Sequence, residues 1–205
     1  LRDAPLFEQI RRDSWGVSSV ASCLDIGSVY LESGDAATAL SWFERVPADE
    51  HFQQERRDAL LLVAFTQLGR QQPREEVAWR LFRRGRSRTG LGALLSVIGE
   101  ARRAALIDGE VAAILAGPGL SHADAAFLME MGRLDEAESY LLDRAALLNG
   151  DYYERLVPLA EDLEAGQRPL AASLLYRALL DSILRRARST VYGHGGRYLR
   201  KLDLP

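Results

Sequence analysis

The sequence predicts an all-α protein that is built from paired helices stacked in a repeat array. Alanine, leucine, arginine and glutamate, which all favour helices, dominate the composition, and runs of β-branched residues are nearly absent. Two segments between Ser121 and Ser189 share one internal pattern around Gly132 and Gly166, which lie 34 residues apart. A period of this length, carried by paired helices, is typical of helical-repeat proteins.

The shared pattern consists of a small residue and a leucine at fixed distances after each glycine. The small residue follows by five positions and the leucine by nine; they are Ala137 with Leu141, and Ala171 with Leu175. Small residues allow paired helices to approach closely, and larger side chains fill the space beside them. We therefore predict that both pairs form packing contacts inside helical hairpins.

The pattern predicts five hairpins in one domain over residues 1–205. Their approximate limits are 17–46, 50–84, 91–116, 121–148 and 151–189, and a further helix starts over 197–202. The first two hairpins turn at Gly34 and Gly69. The third is an irregular middle pair around Asp108-Gly109, after an Arg- and Gly-rich loop over 84–92. Because the chain begins at Leu1 without a methionine and stops just after a helical pattern, we expect a fragment of a longer protein.

The first hairpin resembles a tetratricopeptide repeat. The residues that carry the resemblance are Ile26, Gly27, Tyr30, Gly34, Ala39, Phe43 and Val46. The resemblance implies a right-handed superhelix of tetratricopeptide-like hairpins, whose first helices line a concave groove. Carried over position by position, the groove residues would be Ser28, Glu32, Arg56, Thr66, His122, Met129 and Tyr153.

From about Leu106 onward the chain also resembles an uncharacterised bacterial family that carries a domain of unknown function. Some relatives in that family accompany a SWIM-type zinc finger. The matching segments are Pro118–His122, Gly132–Ala137, Leu174–Leu179 and Tyr192–Gly195. The resemblance implies a helical repeat region and transfers no catalytic residue, and the SWIM cysteine–histidine motif is absent from the sequence.

Composition limits the compartments and partners that we expect. The net charge is -3, so no overall positive field favours nucleic acid or a membrane surface. Cys23 is the only cysteine, which excludes an intrachain disulfide, and its place on an apolar helix face predicts a core residue. We expect a bacterial, cytoplasmic protein, because Lys201 is the only lysine among 26 basic residues and no targeting segment is visible. The apolar helix Leu170–Leu184 is too short to span a bilayer.

The functional prediction is a non-enzymatic scaffold that binds a protein or peptide partner in the concave groove, without a cofactor. The three histidines, His51, His122 and His194, fall on different hairpins and lack the spacing of a metal site. The partner's identity and the oligomeric state stay open.

A first alternative is an anion contact for nucleic acid or an acidic ligand. It would use a cluster of arginines at the end of the second hairpin: Arg83, Arg84, Arg86 and Arg88. The glycine spacing over 85–92 resembles a phosphate loop, but no Lys-Ser/Thr pair or preceding strand accompanies it, so a nucleotide site is rejected. A lack of salt-sensitive binding to generic DNA would exclude this alternative.

A second alternative concerns the C-terminal segment, which we expect to be a glycine-rich loop. Four of its residues could contact a ligand: Tyr192, His194, Arg197 and Tyr198. An uncharacterised enzyme site near His194 would need a deep pocket with convergent acids. A packed helix junction is the competing interpretation, since glycines permit close backbone approach in either case.

Overall fold

The computed structural model describes residues 19–186 and 192–202, and this part of the chain is all-α with no strand. None of the described helices combines the length and the apolar character needed to cross a membrane. The chain divides into two compact units. Unit 1 comprises Leu1–Arg84 and Gly90–Glu100, and unit 2 comprises Gly85–Thr89 and Ala101–Pro205.

Unit 1 holds two helical hairpins and most of a fifth helix. Its elements are α1 (Val20–Glu32), α2 (Ala36–Phe43), α3 (Gln54–Gln67), α4 (Gln71–Arg84) and α5 (Arg88–Ile98), whose first residues belong to unit 2. Helix α1 packs on both α2 and α3, and α3 packs on both α2 and α4. The first helix of one hairpin therefore contacts the first helix of the next, as in a stack of hairpins.

Unit 2 repeats this arrangement. Its elements are α6 (Arg103–Ala116), α7 (His122–Glu130), α8 (Leu134–Asp143), α9 (Tyr153–Ala165), α10 (Pro169–Arg186) and α11 (Tyr192–Leu202). Helices α7 and α9 form the first members of two hairpins and contact each other, and their partners α8 and α10 do the same. Helix α11 packs along α10.

The core of unit 1 confirms the packing role predicted for its small residues. A Cβ atom built on Gly27 would lie only 2.2 Å from Cε1 of Phe43, so the ring occupies the space that a side chain at position 27 would need. Ala39 and Phe43 are both fully buried, and Cys23 is 3% exposed in the same core. A glycine in α1 therefore lets α2 approach closely enough to bury an aromatic ring.

The predicted pairs of unit 2 are buried as well. Ala137, Leu141, Ala171 and Leu175 are each 0% exposed. They share the interior with Phe127, Leu156 and Leu163, which are also fully buried. Both units therefore combine small and large apolar residues at their helix contacts.

The turns of both units are 35 residues apart, whereas 34 residues were predicted for the pair in unit 2. Each first helix ends with one residue in the left-handed region: Gly34 (φ 86°), Gly69 (φ 63°), Gly132 (φ 74°) and Gln167 (φ 58°). The next residue donates its backbone N–H to a carbonyl five positions earlier, as Arg133 does to Leu128 at 2.8 Å. The prediction of Gly166 as the turn residue was wrong by one position, because Gly166 has φ −78° and its successor makes the turn.

Two predicted loops are wholly or partly helical. Residues 84–92 were expected to form a loop, but only 85–87 lie outside helices, because α4 ends at Arg84 and α5 begins at Arg88. The next turn is at Gly99, where φ is 102°. The Asp108-Gly109 pair, expected to be the turn of the middle hairpin, lies inside α6. A single glycine inside a helix costs only about 1 kcal/mol, which tertiary packing can offset.

The C-terminal prediction was right about the helix over 197–202 and wrong about its start. Residues 192–196 were expected to be a loop, but α11 runs from Tyr192 to Leu202. Gly195 lies against α10, where a Cβ atom would be 3.5 Å from Leu180 and 3.6 Å from Ile183. Contact with the neighbouring helix supplies stability that the local sequence lacks.

Candidate functional site: a groove beside α11

Two adjoining cavities in unit 2 lie among α9, α10 and α11. Their volumes are about 510 Å³ and 330 Å³, and three residues line both of them: Tyr153, His194 and Tyr198. We call the larger cavity the α9–α11 groove. Its walls are α9 and α11, and α10 forms its floor.

The α9 wall presents a single stripe of side chains. Glu154, Val157, Pro158 and Glu161 line the groove and occupy positions i, i+3, i+4 and i+7, which fall on one face of a helix. Both glutamates and Pro158 are exposed, and Val157 is half-buried. The wall therefore has an apolar centre with a carboxylate on either side.

The α11 wall is built on the same spacing. Its groove residues are His194, Arg197, Tyr198 and Lys201. Nη2 of Arg197 lies 2.6 Å from Nδ1 of His194. Because a guanidinium can only donate, Nδ1 accepts this hydrogen bond and the proton of the neutral ring is on Nε2.

Two stacked tyrosines connect the floor of the groove to its α11 wall. Tyr176 of α10 is 3% exposed, and its ring stacks on Tyr198 with centroids 5.8 Å apart and an interplanar angle of 25°. The Tyr176 hydroxyl donates to Oε2 of Glu164 at 3.1 Å. Burial raises the pKa of both phenols, so both rings stay neutral and act as apolar surface with one polar end.

Lys201 joins the α11 wall to the α9 wall. Its Nζ lies 2.7 Å from both carboxylate oxygens of Glu164. This hydrogen bond lowers the pKa of the Glu164 carboxyl, with a smaller contribution from Tyr176. The pair fixes the end of α11 against α9 and removes one positive charge from the wall.

The smaller cavity contains a serine, a carboxylate and a histidine, which are the residue types of a hydrolase site. However, the Ser182 hydroxyl donates to Oδ1 of Asp151, whose Oδ2 pairs with Arg186. The bond from Ser182 and then the one from Arg186 lower the pKa of Asp151, which makes it a poor general base. Among the described residues, no group of three His, Cys, Asp or Glu could hold a metal ion.

A comparison with protein-family profiles identifies a family for almost the whole chain. The profile described as "Family of unknown function (DUF6880)" matches residues 8–204. The chain belongs to the DUF6880 family. The match begins well before Leu106, where the sequence resemblance to a domain of unknown function was first evident. Neither a search of curated proteins nor a search of solved structures found a match.

In this DUF6880 member, the residues predicted to line a concave groove are divided between the two units. Tyr153 lines both cavities of unit 2, and the other six do not line them. In unit 1, Arg56 of α3 pairs with Asp25 of α1 at 2.7 Å, and Ser28 and Thr66 each donate to a backbone carbonyl of their own helix. Glu32 is exposed at the end of α1.

The two groove residues predicted on α7 lie away from the cavities and are half-buried. Met129 is one of them, and His122 is the other. The His122 ring lies against Tyr152, with centroids 5.5 Å apart, and its Nε2 is buried without a hydrogen-bond partner in the described structure. Burial, and then the charge of Arg155, lowers the pKa of His122, so the neutral imidazole is favoured.

The predicted C-terminal ligand residues do come together. His194, Arg197 and Tyr198 line the α9–α11 groove, whereas the side chain of Tyr192 lies outside the described part of the structure. His194 is exposed, and Glu154 and Glu161 supply the acids that an enzyme site would need.

Much of the predicted arginine cluster is engaged in ion pairs within its own unit. Arg84 Nη2 lies 2.9 Å from the buried Asp58. Arg86 contacts Glu110 and Asp124, both at 2.7 Å. These partners neutralise the guanidinium groups that a polyanion would need.

The other two arginines of the cluster have different neighbours. Arg88 donates from its backbone N–H and its side chain to Glu130. Arg83 lies with its guanidinium carbon 4.5 Å from the centroid of the Trp79 ring. The anion-contact hypothesis stays a prediction, and these contacts argue against it.

Sequence reasoning missed most of the groove. The missed residues are Glu154, Val157, Pro158, Glu161, Tyr176 and Lys201. Their i, i+3, i+4, i+7 spacing on α9 was visible in the sequence. What was not visible is that α11 is a helix and lies beside this face.

Proposed function

We propose that this protein is a non-enzymatic, tetratricopeptide-like scaffold that binds a peptide or protein segment in the α9–α11 groove. The observation that carries the proposal is the groove itself, about 510 Å³, with an apolar and aromatic centre and charged residues along both walls. Sites of this composition bind through apolar contact and obtain orientation from a few polar groups.

The stacking of hairpins supports the tetratricopeptide-like part of the proposal. In each unit, first helices contact each other, and the left-handed turn residues are 35 positions apart, from Gly34 to Gly69 and from Gly132 to Gln167. Regular repetition of this kind generates superhelices with extended binding surfaces. The right-handed superhelical arrangement of the hairpins is part of the proposal.

The absence of enzymatic activity is proposed from the chemistry of the cavities. The carboxylate nearest to a hydroxyl, Asp151, has a lowered pKa and is paired with Arg186. His194 contacts a cation, Arg197, rather than a carboxylate that would orient it as a base. A reducing, cytoplasmic location is proposed from the single cysteine in the chain.

The experiment is a selection of peptides on the full chain from a displayed library, followed by fluorescence anisotropy with the selected peptides. Tyr153 is 59% exposed in the groove, so Tyr153→Ala removes contact surface without removing core packing. Phe52→Ala is the matched control, because Phe52 is 60% exposed and belongs to unit 1. We expect roughly tenfold weaker binding for Tyr153→Ala and no change for the control.

The proposal fails if no peptide is selected, or if the selected peptides bind Tyr153→Ala and Phe52→Ala equally well. Steady hydrolysis or modification of a selected peptide by the purified protein, lost on His194→Gln, would instead favour the enzyme alternative.

A further inference from the structure

We propose that the occupant of the α9–α11 groove is a basic peptide with two arginine or lysine residues three positions apart. This inference rests on the proposed function and adds the chemistry of the partner.

Among the charged residues that line the α9–α11 groove, those without an ion-pair partner are mainly negative. Glu161 forms no hydrogen bond or ion pair with any described residue, and the only hydrogen bond of the Glu154 side chain is to the Tyr153 hydroxyl, at 3.3 Å. On the opposite wall, Lys201 is neutralised by Glu164. Arg197 is the remaining cation, and its contact is to His194. Two carboxylates and one guanidinium are therefore available, which favours a basic partner over an acidic one.

The distance between the two carboxylates determines how far apart the two basic residues of the peptide should be. Glu154 and Glu161 are seven residues apart on α9, which places them about 10 Å apart along the helix axis. A peptide in the polyproline II conformation has three residues per turn and rises about 3.1 Å per residue. Side chains at i and i+3 of such a peptide therefore lie on one side, about 9 Å apart, and can reach both carboxylates.

The surface between the carboxylates suits the same peptide. Val157 and Pro158 lie between the glutamates and offer apolar contact to the two residues that separate the basic pair. Tyr153 and Tyr198 offer ring faces on which a guanidinium can stack. Glu161 is also close enough to Tyr198 and Tyr176 to raise their pKa values, a smaller effect than burial. A basic side chain at this end of the groove would meet a carboxylate and aromatic rings together.

The test uses three labelled peptides of equal length in a proline- and alanine-rich background. One has two arginines separated by two residues, one has the same arginines side by side, and one has glutamates in place of the spaced arginines. Binding to the full chain is measured by fluorescence anisotropy at two salt concentrations. We expect the spaced-arginine peptide to bind most tightly, the glutamate peptide to bind least, and higher salt to weaken the binding of the arginine peptides.

The decisive variant is Glu154→Gln with Glu161→Gln, which keeps the shape of both exposed side chains. This variant would lose two partly exposed ion pairs with the peptide. We therefore expect it to bind the spaced-arginine peptide roughly fivefold to tenfold more weakly. The control is Glu75→Gln with Glu76→Gln on α4 of unit 1, which changes the net charge equally; Glu75 is half-buried and Glu76 exposed, and an amide oxygen can still accept the hydrogen bonds that they receive from Gln71 and Gln72. We expect the control to bind as the unmodified chain does.

Three results would overturn the inference: tightest binding of the glutamate peptide, equal binding of both arginine spacings, or equal loss in the two double variants. These are distinct from failure of the proposed function. If library peptides bind in a Tyr153-dependent way but are neutral or acidic, the scaffold proposal stands and this inference fails. If no peptide depends on Tyr153, both fail.

Discussion

Gln167 offers a direct test of the repeat register. It is the one non-glycine residue among the four hairpin turns that adopts a left-handed conformation, with φ 58°. For a residue with a Cβ atom this conformation costs roughly 1–2 kcal/mol. Gln167→Gly removes that strain but gives the unfolded chain more freedom, at a cost of about 0.5–1 kcal/mol. We therefore expect a net stabilisation of about 0.5–1 kcal/mol.

Two further variants test whether the turn residue is Gln167, as in the structure, or Gly166, as the sequence predicted. Gly132→Ala introduces left-handed strain without a clash, because a Cβ atom there meets no atom within 4 Å, and we expect it to destabilise the protein by about 1 kcal/mol. Gly166 has φ −78°, so Gly166→Ala introduces no such strain, although the new methyl group would lie 3.2 Å from the Asp162 carbonyl oxygen and 3.3 Å from a Leu134 methyl group. We expect its effect to stay within about 0.5 kcal/mol, since the entropy gain offsets these two contacts.

Urea unfolding followed by far-ultraviolet circular dichroism measures these differences in the free energy of unfolding. The reasoning is refuted if Gln167→Gly lowers stability, or if Gly166→Ala costs as much as Gly132→Ala. The second result would indicate that Gly166 is the turn residue and that the repeat is 34 residues long.

Three other predictions follow from contacts within unit 2. Gly150→Ala should destabilise the protein by about 1–3 kcal/mol, because a Cβ atom there would lie 2.0 Å from the Ala178 carbonyl oxygen, and backbone must move to admit it. The lowered pKa of His122 means that the unfolded chain binds its proton more readily, so stability should fall as pH decreases below about 6.5, and His122→Gln should flatten that slope in urea titrations at several pH values. Glu110→Ala should cost about 1–3 kcal/mol in thermal or urea unfolding, since it removes one of the two carboxylates that hold the largely buried Arg86.

Each of these predictions has a matched control within the chain. Gly109→Ala lies in open space inside α6 and should stabilise slightly, so an equal loss for both glycine variants would contradict the steric argument. His51 is exposed, and if His51→Gln flattened the pH slope as much as the His122 variant, burial would not be its cause. Replacing Arg86 and Glu110 by methionine and Asp124 by leucine should recover most of the loss, because no carboxylate of the cluster is then left without its cation; no recovery would mean that the cost came from lost packing.

The sequence predicted local features well because they depend on neighbouring residues. Helix-forming composition and glycine punctuation were enough to predict an all-α chain with hairpin turns at Gly34, Gly69 and Gly132. The close contact of Gly27 and Phe43 was also predictable, because the spacing of small and large residues reflects how two adjacent helices pack.

The features that sequence reasoning missed depend on contacts between distant residues. Gln167 rather than Gly166 makes the turn, and Gly166 instead packs beside Leu134 of α8. Helix α11 forms across three glycines, and one of them, Gly195, lies against side chains of α10. In both cases tertiary packing outweighs a local preference of about 1 kcal/mol.

The character of the groove was likewise decided by tertiary structure. By itself the sequence determined a helical chain with tight, glycine-assisted hairpins and a cluster of arginines. Only the fold placed Asp58, Glu110 and Asp124 against those arginines, and only the docking of α11 beside α9 turned Glu154 and Glu161 into the wall of a groove. The reason is physical, because charge pairing and groove formation depend on distances between residues that are far apart in the chain, and such distances exist only after folding.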